Sequence, residues 1–508
     1  MANLSGSAGR RELFARVLQG PGSLAVAGIA VNGGNLLANL VLARTLNATG
    51  YGALVVQTGI FLILSMGGSA LQVAVVQRDT SGTGTSRHDR GWWVRRLRGG
   101  CTVVAVVTCV LGLVVCGPAA AMLSYPHPLA IAEAIAAAAM WVSLSVERGL
   151  LQARHAYQDL ARNFVLEGVG RIAVTIGLVF AGFGVNGAGL GLIVGVLLAT
   201  EDARRSVGRT APTLSRLRPA PARAGGGAAA GPGRRLDGTG LDGTGPNGID
   251  SWGPMPIRST PRVRTRHALR HDTTTALGAL VPLALLQNMD VVIVGWLNPG
   301  EVGAYGAIAT ACKVPVFIGL AVANFLLPEA ARRRYEGRPA TAALLAAVAW
   351  VVTPGLLLVG IGAVAARPLL SAVFGPRLAA GASALPVLAL AMTCLAVTLL
   401  FTNYLLGVGR RGVVGVLMAG TALTAGGLFI AGGNLVATGV VGLVCQAVTA
   451  FMAGFMVFRA HSPVVLGGSV AATEPVGFDA PEQAGDPDRS AGRQLQPVVA
   501  TSLPRYGR

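Results

Sequence analysis

The chain has 508 residues, 52% of them hydrophobic and 12% charged, and ordinary soluble domains carry about twice that charged share. So few charges exclude a typical water-soluble enzyme and point to lipid. The net charge of +19 does not indicate nucleic acid, because the arginines lie between apolar runs and no compact basic domain holds them.

Apolar runs of about twenty residues recur along most of the chain, each matching the roughly 30 Å of hydrocarbon that a helix must cross. Without water at that depth, backbone amides are satisfied within one segment or in a closed barrel. The runs are far too long for barrel strands. The 71 glycines suit membrane helices, where small residues let backbones approach. In chain order the predicted spans are 23–43, 53–76, 101–123, 129–152, 163–183, 185–200, 274–297, 304–327, 343–365, 383–406, 413–431 and 437–458. Arg10, Arg11 and Arg16 precede the first run as in a signal peptide, but that run has no clear A-x-A site and is read as a retained span.

Arginines load every second connection: the N-terminus; the loop with Arg78, Arg87, Arg90, Arg95, Arg96 and Arg98; the junction with Arg148 and Arg154; the long linker; Arg332 to Arg334 with Arg338; and Arg410 with Arg411. The opposite side has Arg44, Arg367 and Arg377. The positive-inside rule then predicts a multi-pass plasma-membrane protein with both termini cytoplasmic. Residues 201–272 turn to Arg, Gly and Pro, with tandem LDGTG copies at Leu236 to Gly245. This stretch and the tail, 461–508, are expected to be disordered and cytoplasmic, with anionic lipid an open alternative contact for the linker. The flanking segments, 1–200 and 273–460, each carry six spans.

These halves resemble each other. Leu46 and Asn47 followed by Gly50, Tyr51, Gly52 and Ala53 match Leu297 and Asn298 followed by Ala304, Tyr305, Gly306 and Ala307. Leu150, Leu151 and Arg154 match Leu405, Leu406 and Arg410, and Gly177, Leu178, Ala181 and Gly182 match Gly427, Leu428, Ala431 and Gly432. The common order and an offset of roughly 250 residues indicate duplication. An even number of spans per half relates the halves by an axis along the membrane normal. The expected fold is all-α, about twelve transmembrane helices in two six-helix lobes around a central cavity.

Intramembrane polar residues are the candidate site, since a charge at mid-bilayer costs on the order of 3 kcal/mol and faces a cavity or a partner. Asp290 and Lys313, the only lysine, lie at depths within about 3 Å of each other on adjacent antiparallel spans. They read either as a salt bridge or as part of a substrate or proton path. Asn32, Asn35 and Asn39 share one face of the first span, for interhelical hydrogen bonds or for sugar hydroxyls. Glu167 and Arg171 form an i, i+4 pair. Arg44, Arg148, Arg154 and Arg171 are candidates for an anionic headgroup, which arginine donors match well; positive-inside anchoring is the simpler reading of Arg148 and Arg154.

Other motifs carry no chemistry. Gly187, Gly189 and Gly191 open a span rather than follow a strand, so they read as helix packing. The six cysteines lack CxxC spacing and read as small buried hydrophobes. The histidines are scattered, no metal site or cofactor is expected, and Asp486-Pro487-Asp488 sits in the tail.

The stretches NLLANLVLARTLNATGYGAL from Asn35, ERGLLQARHAY from Glu147, NMDVVIVGWLNPGEVGAYGAI from Asn288, FLLPEAARR from Phe325, PLLSAVFGPRLAAGASALPVLALAM from Pro368 and NYLLGVGRR ending at Arg411 are together similar to the polysaccharide and oligosaccharide flippases, the Wzx-like family of the multidrug/oligosaccharidyl-lipid/polysaccharide exporter superfamily. The resemblance implies turning a polyprenyl-pyrophosphate-linked glycan from the cytoplasmic to the outer leaflet, alongside glycan polymerase machinery. The linker is longer than usual for that family, and the first span lacks the arginine-rich start of a fourteen-span lipid II flippase. A multidrug antiporter of the same fold is the alternative, and it would need cavity carboxylates, of which Glu133, Glu167 and Asp290 are the few candidates. A membrane glycan polymerase or glycosyltransferase is disfavoured, because the longest expected outer loop, 366–381, has two arginines and no carboxylate.

Overall fold

A computed structural model of the chain describes residues 22–81, 87–210, 262–323 and 341–461, which are helical with short connections and contain no strand. The helices are α1 (Gly22–Thr45), α2 (Ala48–Ser81), α3 (Arg87–Met122), α4 (Pro128–Ala153), α5 (Tyr157–Leu178), α6 (Gly184–Thr210), α7 (Arg262–Leu297), α8 (Val302–Cys312), α9 (Val314–Ala323), α10 (Thr341–Phe374), α11 (Leu385–Gly407), α12 (Val413–Ile430) and α13 (Leu435–His461). Most of the expected linker and tail, 211–261 and 462–508, lies outside the described residues, as does FLLPEAARR.

Three boundaries need correction, and the first is the end of the linker, since residues 262–272 belong to α7. Residues 201–210 belong to α6 rather than to the linker: Glu201 pairs with Arg205 at 2.8 Å, Asp202 with Arg162 at 2.5 Å, and Arg204 approaches Glu147 at 3.7 Å, so charge pairing carries the helix past its apolar stretch. Residues 366–381 are not an open loop, since α10 continues to Phe374 and Pro376–Ala384 forms 3₁₀ turns.

Ten described helices are long and apolar enough to cross a membrane, eleven if α8 and α9, bent by 41°, count as one span. Within that count 157–210 is a single stretch, yet it turns back on itself. The chain leaves α5 through a π-helical turn, Val179–Phe183, and reverses at Gly182 and Gly184, whose φ angles of 92° and 54° favour glycine. A Cβ on Gly187 would meet Leu178, one on Gly191 would meet Thr175, and one on Gly195 would meet Arg171. Partners that descend along α5 while ascending along α6 define two antiparallel arms. Taken separately, these arms bring the spans to twelve. The glycines of the 187–191 motif thus pack helix on helix.

The outward surface is apolar: Val103 and Val114 of α3 are 64% and 68% exposed and Val364 of α10 is 90% exposed. So much exposed hydrocarbon suits lipid rather than water. Helices α1 to α6 pack chiefly on one another, as do α7 to α13, and α2 is the main bridge, lying against α7 and α8. At this bridge the two copies of the duplicated motif meet. A Cβ on Gly52 would fall 2.5 Å from Val302, one on Gly303 2.2 Å from the carbonyl oxygen of Ala48, and one on Gly306 2.9 Å from Val55. Tyr51 and Tyr305, matched in the repeat, are both fully buried. Without a hydrophobic drive between helices in lipid, such close approach is what holds them together.

Because backbone cannot yield cheaply, Gly303→Ala is expected to cost about 1–3 kcal/mol and to lower the midpoint of thermal unfolding in detergent. Gly415→Ala, where a Cβ meets nothing within 4 Å, is the control and should leave the midpoint unchanged.

Candidate functional site

Between the two sets of helices lies a cavity of about 210 Å³, walled by α1, α2, α5 and α6 on one side and by α7, α8 and α9 on the other. Leu36, Leu54, Phe61, Ile172, Leu192 and Phe317 give it an apolar background. Its polar groups are Asn32, Asn35, Asn39, Thr58, Arg171 and Thr175 from the first half and Asn288, Thr310 and Lys313 from the second. No Asp or Glu is among the lining residues.

The three asparagines of α1 face this space together, as their spacing predicts. Asn39 donates to the backbone oxygen of Asn35 at 2.9 Å, while the Asn35 side-chain oxygen accepts from Arg171 Nη2 at 2.8 Å. Arg171 Nη1 lies 3.2 Å from Glu167, one turn earlier on α5. The guanidinium is therefore held from two sides with its remaining edge toward the cavity.

Among the described residues Lys313 and Asp290 make no direct ion pair, one of the two readings left open for them, although their charges still interact at longer range. Positions 288 and 290 of α7 are about 200° apart around the helix, so Asn288 faces the cavity and Asp290 faces α8. Asp290 is buried and accepts from the Tyr305 hydroxyl at 2.8 Å, whereas Lys313 Nζ donates to Asn288 Oδ1 at 2.9 Å. Lys313 stands at the bend between α8 and α9. The signal for that bend is Pro315, which lacks an N–H for the helix and disfavours helical geometry just before it. Neither this proline nor Thr58, Thr175, Asn288 and Thr310 stands out in the sequence as part of a site, because isolated residues of these types in apolar helices show no pattern.

Three arginine candidates lie away from the cavity. Arg148 is 1% exposed, with Nε donating to Asn163 at 2.9 Å, Nη2 3.8 Å from Glu167, and its guanidinium 4.0 Å from the Phe164 ring centroid and 5.1 Å from that of Trp141. It is neither a surface anchor nor a lining group, but a cation stored inside the first half. Arg154 donates to the Val207 carbonyl at 2.7 Å, joining the ends of α4 and α6. Arg44 donates to the carbonyls of Ala372 and Val373 in the last turn of α10, tying the halves together, a favourable place for a cation. Glu147, read only as part of a motif, is a buried acid whose oxygens accept from Arg98 at 2.7 and 2.5 Å.

Among solved structures, the chain is similar to the lipid II flippase MurJ in an inward closed conformation (TM-score 0.61, 9% identity, 86% of this chain and 87% of that one). It is also similar to the Vibrio cholerae MATE transporter VcmN as its D35N mutant (0.55, 13%, 89% and 97%). A third is a Pyrococcus furiosus transporter of the MOP superfamily described by the reverse polarity of its binding pocket (0.51, 15%, 87% and 95%). No family model and no curated protein matches the chain. The chain thus has the helical fold of these membrane transporters.

Glu167 lies between Arg148 and Arg171. Removing the anion from a buried pair typically costs about 3–5 kcal/mol, so Glu167→Gln is expected to destabilise the protein more than Arg171→Gln. Chemical denaturation of the two variants in the same detergent checks this order.

Proposed function

We propose that the chain is a plasma-membrane flippase for a polyprenyl-pyrophosphate-linked glycan, working by alternating access of two six-helix lobes. The observation that carries this reading is the sign of the cavity: Arg171 from one half and Lys313 from the other line it, with no lining carboxylate. A pyrophosphate satisfies both cations at once and so draws the halves together. The asparagines and threonines beside them suit sugar hydroxyls, and the lipid tail stays in the bilayer. The space of about 210 Å³ is small for such a headgroup, so entry requires the halves to part. The close contacts at Gly52 and Gly303 hold the halves together at the starts of α2 and α8, so this reading puts entry at the opposite end.

A charge-assisted hydrogen bond contributes about 1.5–3 kcal/mol. Arg171→Ala and Lys313→Ala should therefore each slow flipping of a fluorescent polyprenyl-pyrophosphate oligosaccharide in proteoliposomes by roughly 10- to 100-fold. Wild-type rates in both variants would refute the assignment. A multidrug antiporter would instead confer drug resistance on a pump-deficient host and lose it with Asp290→Asn; Asp290 faces Tyr305, which favours the flippase. For the orientation, with both termini cytoplasmic, Arg96→Cys and Arg333→Cys should react with an impermeant thiol reagent from the same side of the membrane. Labelling from opposite sides breaks the duplicated arrangement.

A further inference from the structure

The lipid-facing side of the first half has a second concavity that the proposed transport does not use. It lies where α2, α3 and α4 meet, with about 480 Å³ of free volume, and is lined by Leu71, Trp93, Leu97, Val104 and Val142, with the exposed Arg96 beside them. Water in so apolar a space has too few polar partners to stay, so on a membrane-facing surface hydrocarbon fills it.

One end of this groove is marked as the membrane surface. Trp92 and Trp93 sit there with Arg78, Arg95, Arg96 and Arg98, whereas α3 from Val103 onward exposes valine and leucine. Tryptophans and arginines at such a transition belong at headgroup level. Arg98 is engaged by Glu147. Arg78 lies over Trp93 at 4.8 Å and Arg96 over Trp92 at 5.2 Å, so aromatic faces hold cations at the groove mouth. None of the ion pairs among the described residues involves Arg95 or Arg96. From Trp93 to Val104 the helix rises roughly 16 Å, about the depth of one leaflet's hydrocarbon.

We propose that this groove binds one anionic phospholipid, with its phosphate at Arg96 and an acyl chain running past Leu97 and Gly100 to Val104. Charge selects the headgroup and the apolar trough fixes the tail. A zwitterionic lipid gains only the second contribution.

The test counts lipids retained by the purified full-length protein in native mass spectrometry, with phosphatidylglycerol or phosphatidylcholine as the probe. Wild-type protein should retain phosphatidylglycerol in preference. Arg96→Gln should weaken that retention by roughly five-fold. Gly100→Phe should displace the same lipid although Arg96 remains. A Cβ at Gly100 meets no protein atom within 4 Å, so the new side chain starts into open space, and the variant's elution profile verifies the fold. Equal retention of the two lipids by the wild type, full retention by either variant, or a dimer that covers this face without lipid overturns the proposal.

Discussion

An ionised side chain inside a bundle that faces hydrocarbon has no water to fall back on, and the interior of the first half follows from how four such residues are set against one another. Glu147 is taken by Arg98, Arg148 by Asn163 and two aromatic rings, and Glu167 stands between Arg148 and Arg171. The last of these cations reaches the cavity wall, where Asn35 completes its setting. Arg171 is thus held in place from behind before any ligand arrives, the kind of pre-organisation that anion recognition exploits. Arg148 and Glu167 touch nothing in the cavity, yet they fix what the cavity presents.

The second half meets the same problem with fewer charges. Asp290 spends its interactions on Tyr305, and Lys313 rests on Asn288. Since Tyr305 belongs to the duplicated motif and Tyr51 occupies the matching place, the repeat supplies the same buried aromatic to both halves and gives it different work. Tyr51 lies 3.4 Å from Thr310 across the bridge, whereas Tyr305 serves its own half. The matching positions of the two halves thus carry different polar partners.

Much of this was legible from residues. The spacing of Asn32, Asn35 and Asn39 placed them on one face, the i, i+4 relation paired Glu167 with Arg171, and the glycines at 187, 189 and 191 announced close packing. What failed did so for physical reasons. Equal depth left a direct bridge between Asp290 and Lys313 open, but depth says nothing of direction around the helix, and each side chain takes its hydrogen bond elsewhere while the two charges interact at longer range. Arginines near the ends of apolar runs read as surface anchors, and only the fold reveals that Arg148 is enclosed by Trp141, Asn163 and Phe164. The extra turns of α6 rest on Asp202 and Arg204 finding Arg162 and Glu147, partners remote in sequence.

Lys313 occupies the joint of a broken helix rather than the middle of a rigid one. Its ammonium is carried on a long stem from the point about which α8 and α9 differ in direction, so any opening or straightening of that elbow sweeps the charge sideways through the cavity. Grip and motion then share one residue. In the proposed transport, cargo that holds the lysine would resist the flexing, and flexing would loosen the hold, so release is tied to the movement itself.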